Sequence, residues 1–67
     1  MNDALSVSTC IYRLFQNPET LELTFYVYNE PVKTENADKK YSWQELYTIM
    51  CTYAHDYQRE HEEESDE

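Results

Sequence analysis

The chain reads as an α+β protein: a small two- or three-stranded antiparallel sheet, built on a hairpin, packed by one C-terminal amphipathic helix and followed by an acidic disordered tail. Three observations carry that reading. Residues 21–28 alternate apolar and polar side chains, the period of a half-buried strand. Gln16-Asn17-Pro18-Glu19-Thr20 places Asn and Pro where a turn wants them. Ser42-Trp43-Gln44-Glu45 has the form of a capping box, and apolar residues recur behind it every three or four positions. Residues 1–59 are thus expected to form a single ββ(β)α mini-domain and residues 60–67 the tail.

The first segment is compatible with two structures. Val7, Ile11, Leu14 and Phe15 match a helical stripe, but Val7-Ser8-Thr9-Cys10-Ile11-Tyr12 is rich in β-branched and hydroxyl residues. A short turn then leads into a strand, so the segment is read as the first arm of an antiparallel hairpin. In the strand itself Leu21, Leu23, Phe25 and Val27 share one face, and Glu22, Thr24, Tyr26 and Tyr28 share the other. Asn29-Glu30-Pro31 ends it. Residues 32–40 are polar, hold three of the five basic residues, and read as a loop with room for one short edge strand after Pro31.

The helix begins at Ser42. Its hydroxyl can accept from the Glu45 N–H while the Glu45 carboxylate returns to the Ser42 N–H, and Tyr41 and Leu46 hold the hydrophobic-staple positions. Trp43, Leu46, Tyr47, Met50, Tyr53, Ala54 and Tyr57 then form an apolar stripe along about four turns. Acids at Glu60, Glu62, Glu63 and Glu64 sit where the macrodipole favours cations, so fraying is expected near Glu60. If the stripe is too wide for so small a sheet, a second chain is needed to cover the surplus.

Composition supports a folded body. The 67 residues include seven Tyr, two Phe and one Trp, side chains with large burial energies. Glycine is absent, so tight turns must rest on Pro18, Pro31, Asn17, Asn29 and Asn36. Cys10 and Cys51 stand in no metal or redox spacing and are read as reduced, mostly buried thiols, with Cys51 at the core or its margin. No apolar run is long enough to cross a bilayer, the helix has no basic face for a membrane surface, and no leader is evident; a cytoplasmic protein is expected.

Chemistry-bearing groups are sparse. His55, Asp56, His61 and Glu62 resemble a metal or acid/base cluster, but the histidines lie about 600° apart around a helix and share no face. A solvated helix surface explains them. Cys51 has no base near it in sequence, and a phosphate loop without glycine is not to be had. No enzyme and no cofactor are expected.

What reaches further is charge. Fourteen acids face five Lys and Arg, giving −9, of which −6 belongs to Glu60–Glu67 and −3 to residues 1–59. Such a surface repels nucleic acid and anionic membrane and suits either solubility or a basic partner. Tyr26 and Tyr28, with Tyr12 if the first strand pairs as expected, would lie on the outer sheet face beside Glu22. Phenols there resemble a base-stacking platform without its cations, which disfavours direct nucleic-acid binding and leaves either half-buried aromatics or a protein-contact patch. The expected partner site comprises Glu22, Tyr26, Tyr28 and Glu30 on the sheet, with Asp56, Glu60, Glu62, Glu63 and Glu64 on the helix end.

In size, charge and aromatic content the chain resembles the small acidic DNA-mimic inhibitors of phages and mobile elements, some anti-CRISPR proteins among them. That resemblance implies a non-enzymatic inhibitor occupying a basic, nucleic-acid-binding surface of a partner protein, without contacting nucleic acid or membrane. The alternative is a homodimeric structural or accessory protein whose helix completes its core across a two-fold axis. An antitoxin or immunity-type protein binding one basic toxin shares the electrostatics of the first reading.

Overall fold

The computed structural model describes residues 5–65, and their side chains as far as His61. Four strands, β1 (Leu5–Ser8), β2 (Tyr12–Gln16), β3 (Leu23–Val27) and β4 (Glu30–Glu35), precede one helix, α1 (Trp43–Ser65). The strands form an antiparallel meander in chain order. The class is therefore α+β, but the sheet has four strands rather than two or three. The unforeseen strand comes from a region whose sequence hides it. Residues 5–15, read as one arm, fold together with Gln16 as a complete hairpin around Thr9-Cys10-Ile11, where the Thr9 N–H donates to the Tyr12 carbonyl at 2.8 Å. The edge strand that the sequence allowed after Pro31 forms, with six residues and a start at Glu30; it is exposed throughout and needs no apolar face.

Two turns use the left-handed region without glycine. Asn17 organises the β2–β3 loop: its Oδ1 accepts from the N–H groups of Glu19 (2.8 Å) and Thr20 (3.1 Å). Leu21 closes that loop at φ 66°, so the strand begins at Leu23 rather than at Leu21. Tyr28 (φ 53°) and Asn29 (φ 67°) make the two-residue β3–β4 turn, the left-handed pair that matches strand twist.

The capping box forms as expected. The Ser42 N–H donates to Glu45 Oε1 at 2.9 Å, and the Glu45 N–H donates to Ser42 Oγ at 3.2 Å. The backbone bond from Ser42 holds the Glu45 carboxyl below its ordinary range, with Lys39 adding to the effect. At the other end the helix continues through Glu60 to Ser65 instead of fraying into a tail. Glutamate is a good helix former and no Gly or Pro interrupts the run, which outweighs an unfavourable macrodipole. Asp66 and Glu67 lie outside the described residues.

The core is a single layer between helix and sheet. Leu14, Leu23, Phe25 and Val27 meet Leu46 and Met50, all at most 5% exposed. Around them pack Leu5, Val7, Tyr12, Tyr41, Ile49 and Tyr53, half-buried. One polar side chain enters this layer. Gln16, 3% exposed, donates from Nε2 to the carbonyls of Leu21 and Lys39 and accepts from the Tyr41 N–H, each at 2.9 Å. It ties the loop before the helix to the end of β2.

Candidate functional site

The helix lies over β1 and β2 and leaves β3 and β4 partly uncovered toward its C-terminal half. That offset opens a groove of about 430 Å³. Its floor is Phe25, and one wall is Tyr53 and Tyr57. Tyr57 in turn meets Tyr12 edge-on at 6.4 Å and His61 at 4.1 Å between ring centroids. The rim carries Asp56 and Glu60, one helical turn apart, with Val32 and Lys33 of β4 opposite.

The groove already displays the chemistry it favours. Lys33 Nζ lies 5.0 Å over the Tyr53 ring and 3.4 Å from Glu35 Oε2, an ammonium held between an aromatic face and a carboxylate. Burial pushes the Tyr53 phenol up from its ordinary pKa, and the neighbouring Glu35 carboxylate adds to it. Acidic rim and aromatic wall together suit a lysine or arginine side chain presented from outside.

The structure divides the expected partner residues. Asp56 and Glu60 stand on the groove rim. Tyr28 and Glu30 lie at the β3–β4 turn, at the same end of the molecule as the C-terminal half of the helix, since Val27 pairs with both Glu30 and Tyr12 and Tyr12 Oη accepts from Gln58. Tyr28 is 72% exposed, but it occupies the turn and not the outer sheet face. Glu22 is at the opposite end, its carbonyl accepting from Asn17, so it does not join the others. Glu62, Glu63 and Glu64 fall within the helix span, and their side chains lie outside the described residues.

Tyr12 is a second correction. It sits on the helix-facing side, stacked on Phe25 at 5.7 Å, because the hairpin turn at Thr9–Ile11 shifts which residues face inward. The outer face instead brings Arg13 over Tyr26, guanidinium carbon 4.3 Å from the ring centroid, beside Phe15. Tyr26 is thus half-buried beneath a cation. Both cysteines are exposed, not buried: Cys10 is in the turn and Cys51 is on a side of the helix turned away from the groove.

Sequence reading missed the groove's aromatic half. Tyr53 and Tyr57 are counted there as core stripe, and Lys33 as loop. The period-three-and-four pattern does place Asp56 and Glu60 beside Tyr53 and Tyr57 on one helix side, and that was the available signal. Among the described residues no group of three His, Cys, Asp or Glu comes together to hold a metal, and no helix is long and apolar enough to cross a membrane. Comparison with protein-family models, with curated proteins and with solved structures gives no match for this chain.

Proposed function

We propose that this chain is a small acidic, non-enzymatic binding protein that inhibits a partner by covering its basic, nucleic-acid-binding surface. The observation that carries the reading is the placement of acid beside the aromatic groove. From Asp56 onward the sequence has seven acids against Arg59 alone, and two of those acids form the groove rim. The acidic end steers a positive surface toward it, and the groove accepts one lysine or arginine, whose desolvated contact with Tyr53 and Tyr57 slows dissociation. Tyr28 and Glu30 extend the contact across the β3–β4 turn. Nucleic acid itself is repelled by the same charge.

The test is displacement. The immobilised chain is exposed to cell lysate, proteins released by stepped salt are identified, and the nucleic-acid binding of each is measured with and without the chain. A basic nucleic-acid-binding protein that loses its DNA or RNA when the chain is added supports the reading. A partner that binds the chain and its nucleic acid at the same time overturns it.

A further inference from the structure

The two edges of the sheet are built differently. On β4, Pro31 removes a backbone donor, a register shift at Phe25/Tyr26 leaves Val32 as a bulge, and Glu30, Lys33 and Glu35 put charge along the strand. These are the devices by which an edge is kept from pairing with another strand. On β1, Leu5-Ser6-Val7-Ser8 has none of them. The Thr9–Tyr12 hydrogen bond sets the phase of the ladder, so Leu5 and Val7 exchange backbone bonds with β2. The N–H and C=O groups of Ser6 and Ser8 then point outward, and among the described residues nothing covers them.

A second surface lies along that edge. Tyr47 is nine residues from the groove acid Asp56, which puts it about half a turn round, on the helix side over β1. Trp43 is 59% exposed there and Tyr47 is 43% exposed. Both belong to the apolar stripe and neither reaches the core. The same stretch carries little charge for a chain of net −9: between Trp43 and His55 the sequence holds one acid, Glu45, and no Lys or Arg.

We infer that β1 and the Trp43–Tyr47 side of the helix pair with a second copy of this chain, two β1 strands joining antiparallel into one eight-stranded sheet. Spacing argues for a copy rather than another partner. The helix sits over β1 and β2 alike. With strands about 4.8 Å apart, a two-fold axis at the β1 edge sets the two helix axes about 10 Å from each other, the separation at which helices pack side by side. Trp43 and Tyr47 then meet the partner helix. Charge argues the same way, since identical surfaces meet without repulsion only where they are uncharged. The antiparallel arrangement also sends the two acidic helix ends to opposite ends of the dimer. This inference does not depend on the proposed function and leaves the groove open in each copy.

The test is sedimentation equilibrium of the full chain across about two decades of concentration, with circular dichroism of each variant. Wild type is expected at twice the 8.1 kDa chain mass, in low and in high salt. Ser6→Pro removes an outward donor without touching the β1–β2 bonds and should raise the dissociation constant by about 100-fold or more. Tyr47→Lys, at an exposed site that folding does not need, should weaken association by at least about tenfold. Thr34→Pro on the opposite edge serves as the comparison and should leave the dimer intact. A wild-type monomer throughout, a dimer that dissociates in high salt, or a dimer insensitive to Tyr47→Lys would overturn the inference.

Discussion

The two halves of the single helix have almost nothing in common except their axis. From Trp43 to His55 it carries the capping box, the two buried anchors Leu46 and Met50, and one acid. From Asp56 to Ser65 it carries five acids and lines an open groove with Tyr57 and His61. In so short a chain the stability of the fold and the proposed recognition draw on one element, and the buried anchors and the acidic rim lie on different stretches of it. Substitutions at Leu46 and Met50 should act on folding, and substitutions at Asp56 and Glu60 on binding of a basic partner.

The strongest way to break that division is Leu46→Ala. The side chain is fully buried, and its truncation should cost about 2–5 kcal/mol. A core of this size rarely supplies more than about 3–5 kcal/mol, so the variant should be largely unfolded by circular dichroism. Gln16→Ala comes next. It leaves the Leu21 and Lys39 carbonyls and the Tyr41 N–H without their partner, for an expected loss of about 1–3 kcal/mol in urea unfolding.

Ser42→Ala should lower stability by about 1 kcal/mol through the lost cap. The capping box also has a pH signature. The folded-state pKa of Glu45 is depressed, so its contribution is present above the ordinary carboxylate pKa and is lost as pH falls through the folded value. Wild type and Glu45→Gln should therefore converge in thermal midpoint as the solution is acidified. A gap that is constant with pH would remove Glu45 from the account of the cap. The smallest effect expected is a gain: Asn29→Gly relieves a non-glycine residue at φ 67° and should stabilise the hairpin by about 0.5–1 kcal/mol.

What was legible in the sequence follows from how local each signal is. The capping box and the alternation at Leu23, Phe25 and Val27 are complete within a few residues, and both stand in the structure as read. The β1–β2 hairpin was half hidden because Ile11, Leu14 and Phe15 mimic a helical spacing. Only pairing across Thr9–Ile11 reveals that Phe15 faces outward and Tyr12 inward. β4 has no apolar face, so its composition allowed an edge strand after Pro31 without fixing its length or its start at Glu30. Gln16 shows the limit most clearly: its three partners are five, twenty-three and twenty-five residues away, and no window along the chain contains them. For the candidate site, Asp56 and Glu60 were accessible from charge, while the groove depends on where the helix comes to rest across the sheet.

The central claim is that the second half of the helix recognises a basic surface without holding the fold together. The most direct measurement neutralises it with Asp56→Asn, Glu60→Gln, Glu62→Gln, Glu63→Gln and Glu64→Gln in one chain. Its salt-stepped capture from lysate is compared with that of wild type, alongside both thermal midpoints. The account predicts a midpoint unchanged or raised, since acids at a helix C-terminus oppose the macrodipole, and loss of the salt-released nucleic-acid-binding proteins. Capture of the same proteins by both chains would contradict it.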